Sequence, residues 1–126
     1  MNPATYQARI YPDPPCWSLV VDVYANELDE PVDRFAVISN SVREIAREFR
    51  LQLHKDAHGF ARVDEPVDFA VVLMGRTTRL GLHHCGIFYQ GKVLHANPEG
   101  TLYQDMPSLR DTYPLMEFWA RPEVTA

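Results

Sequence analysis

The chain has 126 residues, 46% hydrophobic and 11% aromatic, which is enough for one well-packed core and too few for two. A formal net charge of −5 and a pI near 5.4, with the twelve Lys and Arg residues scattered, leave no basic stripe and exclude nucleic acid as an expected partner. No apolar run approaches the roughly 18 residues of a membrane span, and the polar, proline-rich stretch from Met1 to Pro15 lacks the pattern of a secretory signal. The expectation is a single domain over residues 1–126, with no membrane partner and with Cys16 and Cys85 as free thiols.

In chain order, Tyr11 to Pro15 carries three prolines and reads as a stiff approach loop. From Cys16 onward, Leu19, Val20, Val23, Tyr24 and Leu28 recur at three- and four-residue steps, which predicts a helix with Cys16 at its start. A second helix is predicted from the capping box Ser41-Val-Arg-Glu44 and the spacing of Val42, Ile45, Ala46, Phe49 and Leu53, ending near His58-Gly59. The period then shortens toward two. Strands are predicted at 69–74, 82–89, 92–96 and 115–120, with turns at 75–81 and 97–100. Helices first and an antiparallel sheet after them give an α+β fold with N-terminal helices packed on the sheet.

Two features carry chemistry. A cysteine at a helix N-terminus meets unpaired N–H groups and the positive end of the helix dipole, which favour its thiolate. In the predicted hairpin around Gln90-Gly91, Tyr89 faces Lys92, Phe88 faces Val93, Gly86 faces His95 and His84 faces Asn97. His84 and His95 then share a face across a diagonal, with Gly86 leaving space between them, while Cys85 points the other way. An imidazole base held by a third group is what nucleophilic catalysis by a thiol requires.

Taken together, Cys16-Trp-Ser-Leu-Val20, Pro66-Val-Asp-Phe-Ala-Val-Val72, His84-Cys-Gly-Ile-Phe88 and Val93-Leu-His-Ala96 resemble, in order, the successive motifs of NlpC/P60 cysteine peptidases. The similarity runs from about Tyr11 to the end of the chain. The short loop before Cys-Trp and the ending Tyr113-Pro-Leu-Met-Glu-Phe-Trp-Ala-Arg121 look most like phage tail-associated peptidases of this family. The resemblance implies a papain-like fold, Cys16 as nucleophile, His84 as general base and acid, and His95 as orienting residue, with Asn97 as the substitute in that last role. It places Tyr11 and the Cys16 N–H near the oxyanion and Trp17 beside the substrate. It implies cleavage of an amide bond in peptidoglycan stem peptides, at the γ-glutamyl to diamino-acid bond, with no cofactor. The setting it implies is a phage tail, among other tail proteins, or delivery to the periplasm by other machinery after synthesis in the cytoplasm.

Two positions depart from the family pattern. Val67 stands where a glycine is expected in the Pro-Gly-Asp turn, so φ there must stay negative, and Ser18-Leu19 replaces the usual Ser-Gly. Other readings stand beside the enzymatic one. Cys16, His84 and His95 could be buried structural residues, and Trp17, Tyr24, Phe49, Phe60, Phe118 and Trp119 core or rim. Cys85 reads as a core thiol. Neighbouring strand residues point to opposite faces, so His83, His84, Cys85 and His95 do not make a four-ligand zinc site. His54 and His58 read as surface residues, and the acidic residues between Asp29 and Asp33 as a solvated loop. The rival functions are a non-catalytic tail-tip protein on the same fold, an acyltransferase, and a toxin-type amidase.

Overall fold

The prolines that stiffen the approach to Cys16 also start its helix. Pro14 is extended and Pro15 takes the first helical position, where a missing N–H costs nothing, so α2 (Pro15–Leu28) begins one residue before the cysteine. It ends at Asp29, whose left-handed backbone (φ 51°) turns its N–H back to the Tyr24 carbonyl. The computed structural model describes residues 1–12, 14–33, 42–53 and 59–121, the side chains of 42–44 and 52–53 excepted. Ahead of α2 lies a short α1 (Pro3–Gln7), capped by the Asn2 side chain. The second predicted helix is α3 (Val42–Leu53), which buries Ala46 and Phe49. Ser41, His54 and His58 lie outside the described residues.

The remaining elements are β1 (Ala61–Val63), β2 (Val71–Gly75), β3 (His84–Tyr89), β4 (Lys92–Asn97), β5 (Gly100–Asp105), α4 (Met106–Thr112) and β6 (Leu115–Ala120). They form one six-stranded antiparallel sheet in the order β1-β6-β2-β3-β4-β5. The fold is therefore α+β. Four strands were expected at these places and two more are present. β1 is three residues long, too short to display alternation. β5 begins inside the predicted 97–100 turn, because Asn97 pairs with Gly100 and only Pro98-Glu99 make the bend. α1 and α4 are also additions to the predicted set. β2 starts two residues later than expected, because Phe69 adopts a left-handed conformation (φ 69°). Val67 is not among the positive-φ residues, so the turn that departs from Pro-Gly-Asp shifts its strained position to Phe69.

Alternation sorts the sheet into two faces. Val71, Leu73, Cys85, Ile87, Leu94, Ala96 and Trp119 pack with Trp17, Val20, Tyr24 and Phe49 from α2 and α3. Val72, Met74, Val93 and Phe118 pack on the other face with Leu109 of α4 and with Tyr113 just beyond it. The β3–β4 hairpin turns at Gln90 (φ 52°) and Gly91 (φ 82°), both left-handed as a two-residue type I′ turn demands. Asp68 fastens this turn by accepting from the Gln90 backbone N–H (2.9 Å) and its side-chain amide (3.1 Å).

Candidate active site

Cys16 lies in the first turn of α2, over the opening residues of β3, where its thiol meets the side chains of Cys85 and His84. Its pKa is held well below the usual thiol value, first by a hydrogen bond with Cys85 and then, against the opposing effect of burial, by the hydrogen bond and charge of His84. Cys85 moves the other way: burial raises its pKa, and the neighbouring Cys16 adds to the rise. Of the two thiols, Cys16 is thus the one that ionises and Cys85 the neutral donor that supports it. First-turn amides have no intrahelical acceptor, so the Cys16 N–H and the dipole of a 14-residue helix act on the same sulfur. Cys16 is 5% exposed and His84 7%, so both groups lie almost wholly out of bulk water.

The hairpin register is as expected over Tyr89↔Lys92 and Phe88↔Val93 and continues to Ile87↔Leu94, where the described pairing of β3 with β4 stops. Beyond it the two imidazoles meet directly. His84 Nε2 lies 2.9 Å from His95 Nδ1, with the rings edge to face at 83°. Gly86 does not leave an empty space between them. A Cβ there would stand 2.6 Å from the Leu94 carbonyl oxygen and 3.0 Å from the His95 Cβ, so the glycine lets β4 approach closely. His95 is 2% exposed, and its pKa is lowered to about 4 by burial and by the charge of His84, so it is neutral near pH 7.

The hydrogen-bond chain fixes the tautomers. The Gln104 side-chain oxygen lies 2.6 Å from His95 Nε2 and accepts its proton. His95 Nδ1 is then a lone pair that accepts from His84 Nε2–H, which leaves His84 Nδ1 as the atom free to serve the thiol. Tyr113 stacks on the His84 ring (centroids 5.2 Å, 24°) and fixes its plane, and the Arg76 guanidinium lies over the Tyr113 ring. The next ring along, His83, has its pKa lowered by burial and then by the charges of His84 and Arg76, and its buried Nε2 has no hydrogen-bond partner among the described residues.

Several sequence expectations need correction here. Cys85 is buried, as a core thiol would be, but it sits against Cys16 rather than away from the site, because α2 packs on the face opposite to His84 and the nucleophile approaches from Cys85's side. Tyr11 gives its hydroxyl proton to Asp22 (2.7 Å), which also takes Arg9 at 2.5 Å, so it clamps the approach loop to α2 instead of donating to an oxyanion. The Ser18 hydroxyl does similar work by donating to the Pro12 carbonyl at 3.0 Å. Trp17 is 1% exposed, hydrogen-bonded to the Asp33 carbonyl and packed on Phe49, and is a core residue rather than a groove wall. Asn97 lines a hollow of about 90 Å³ with Tyr11 and Pro98, and His95, not Asn97, holds His84.

From the sequence no role in the site is assigned to Gln104 or to Tyr113, which enters only as the start of the closing segment. The alternation of Thr101, Tyr103 and Asp105 against Leu102 and Gln104 was the available signal for β5. Nothing local marks Tyr113, which reaches His84 from the far end of α4. Among the described residues no group of three or more His, Cys, Asp or Glu side chains is placed to hold a metal ion, and no helix is long and apolar enough to cross a membrane. No family model, no curated protein and no solved structure matches the chain.

Proposed function

We propose that the chain is a papain-like cysteine hydrolase of the NlpC/P60 type, acting on an amide bond of peptidoglycan stem peptides. The observation that carries the reading is the continuous line Cys16–His84–His95–Gln104, a thiol with lowered pKa beside an imidazole whose tautomer is fixed from behind. In the attack step the Cys16 thiolate forms a bond to the amide carbon, and the C=O π pair moves to oxygen, which the Cys16 N–H helps to hold. His84 then gives its Nδ1 proton to the leaving nitrogen as the C–N bond breaks, which leaves an acyl thioester. A water loses its proton to His84 and attacks that thioester, and the acid product departs as the thiol re-forms. His95 stays neutral throughout, accepting from His84 Nε2–H and stabilising the imidazolium. The γ-glutamyl to diamino-acid bond and the phage-tail setting follow from the motif resemblance.

A second reading is a non-catalytic protein on the same fold, and what favours it is the 5% exposure of Cys16 together with the burial of Trp17. Release of stem-peptide fragments from purified peptidoglycan, followed by mass spectrometry, separates the two. The parent chain should release fragments and Cys16→Ala should release none while melting at the same temperature. Equal release by both would remove the hydrolase reading. Added amine acceptors appearing in the products would turn it into an acyltransferase.

A further inference from the structure

Cys16 and Cys85 are the only cysteines of the chain, both free, and they lie far apart in sequence yet side by side in the fold. One stands in the first turn of α2 and the other is the second residue of β3, and their thiols meet in the hydrocarbon cluster between helix and sheet. Hydrolysis through His84 uses only one of them as the reacting sulfur.

Access separates the two sulfurs. Cys16 is 5% exposed and Cys85 0%, so a small oxidant arriving from solvent meets Cys16 first, and Cys85 has no route to a thiol outside the chain. Cys16 also carries the thiolate character that attack on a peroxide needs, whereas Cys85 stays a neutral thiol. A sulfenic acid formed at Cys16 thus has a second thiol already in contact with it, the arrangement of a reactive and a resolving cysteine. A disulfide holds its two β-carbons about 3.8 Å apart. At neither cysteine is the backbone fully braced against that approach. α2 starts on Pro14 without a side-chain cap, and the described pairing of β3 with β4 ends at Ile87, which leaves Cys85 laddered to Leu73 of β2.

We infer that Cys16 and Cys85 form a disulfide within one chain when a hydroperoxide reaches the site, and that this bond holds the nucleophile out of use until a dithiol reduces it. In the first step the Cys16 sulfur attacks one peroxide oxygen and the O–O bond breaks. The other oxygen leaves and takes up a proton, giving water or an alcohol, and Cys16, oxidised by two electrons, becomes a sulfenic acid. In the second step the Cys85 sulfur bonds to the Cys16 sulfur, the S–O bond breaks, and the hydroxyl departs as water with the Cys85 proton. The sulfur that would serve His84 Nδ1 is then tied to Cys85. A dithiol, itself oxidised to a cyclic disulfide, returns both thiols. The inference rests on the hydrolase reading only in so far as it makes hydrolysis the activity that is switched, since the sulfur chemistry itself needs no substrate.

The folded parent chain, treated with hydrogen peroxide and then alkylated in denaturant and digested, should yield a peptide pair linked through Cys16 and Cys85, lighter by two hydrogens than the reduced pair. Dithiothreitol added before alkylation should return both free thiols. Mapping by peptide keeps this apart from oxygen uptake by the four methionines. Cys85→Ser should instead carry a Cys16 sulfenic acid that dimedone captures, and pass on to a sulfinic acid that dithiothreitol does not reverse. No linked pair in the parent, whether or not oxygen adds to Cys16, would overturn the inference, as would a linkage found only between two chains. The map of the parent decides the matter even if Cys85→Ser fails to fold. On peptidoglycan, peroxide should abolish fragment release by the parent and dithiothreitol should restore it. Because the map involves no turnover, a linked pair in a chain that releases nothing would sink the hydrolase and spare the disulfide, and an active chain without the linked pair would sink the disulfide alone.

Discussion

The two faces of the sheet are built from different materials, and the candidate site exists only where they meet. The helix-facing side is mostly hydrocarbon, with Leu73, Ile87 and Leu94 under Trp17, Tyr24 and Phe49, and there the Cys16 thiol meets Cys85. The α4-facing side buries a polar line, His84 to His95 to Gln104, under the ring of Tyr113. Neither face alone could activate a thiol. On the first a thiolate lacks a base, and on the second an imidazole pair lacks a nucleophile. The end of the sheet at His84, where β3 begins and the first turn of α2 lies over it, joins them. Burial costs that elsewhere would be pure loss are offset here because each polar atom has a partner in line.

The division of labour can be broken by substitution, and the largest effect should come from the junction itself. Cys16→Ala or His84→Ala should lower turnover of peptidoglycan by about 10³-fold or more, and the double variant should be little worse than either, because the two act as a unit. Additive losses in that comparison would mean that they do not. On the α4-facing side, His95→Phe should keep the packing but release the His84 ring, at roughly 10²-fold in rate.

The acid limb of stability sharpens the same point. His95 is depressed from 6.5 to about 4, so the folded chain binds its proton less readily than the unfolded chain does. Its effect is absent above pH 6.5, and stability is then lost as pH falls from 6.5 to about 4, by as much as about 3 kcal/mol. Urea melts of the parent and of His95→Phe across that range should converge toward acid. Parallel curves would assign the acid lability elsewhere.

The smallest expected effect lies on the helix-facing side. Cys85→Ala removes the first support of the Cys16 thiolate, so the rising limb of the pH profile should move to higher pH, with a loss of less than about tenfold at pH 6 and little change at pH 8. Cys85→Ser, which keeps a donor, should recover the parent profile. A profile identical in all three would remove Cys85 from the site.

What the sequence made legible was local. The prolines before Cys16, the 3.6-residue spacing after it, the Gln90-Gly91 turn and the two-residue alternation of β3 and β4 place the thiol at a helix start and both imidazoles on one face. These features depend on neighbours within a few positions. What stayed hidden depends on long-range packing: that α2 lies on the Cys85 side of the sheet, that β5 brings Gln104 beside His95, and that the chain beyond α4 returns Tyr113 onto His84. Tyr11 and Trp17 were assigned by position before the nucleophile and beside it. Asp22, one turn and a half along α2, and the carbonyl of Asp33 claim their polar atoms instead, which no spacing rule reveals. Val67 illustrates a third case: its φ stays negative, as its side chain requires, and the left-handed residue near this turn is Phe69, two positions later.

The lowered pKa of Cys16 beside His84 is open to one direct measurement, the rate of iodoacetamide alkylation of the intact protein as a function of pH, with the modified residue identified by mass spectrometry. Cys16 should be labelled almost as fast at pH 6 as at pH 8, and in His84→Ala the curve should shift toward that of an ordinary thiol. Labelling that climbs about tenfold per pH unit up to the ordinary thiol pKa near 8.5, or that falls on Cys85 instead, would contradict it.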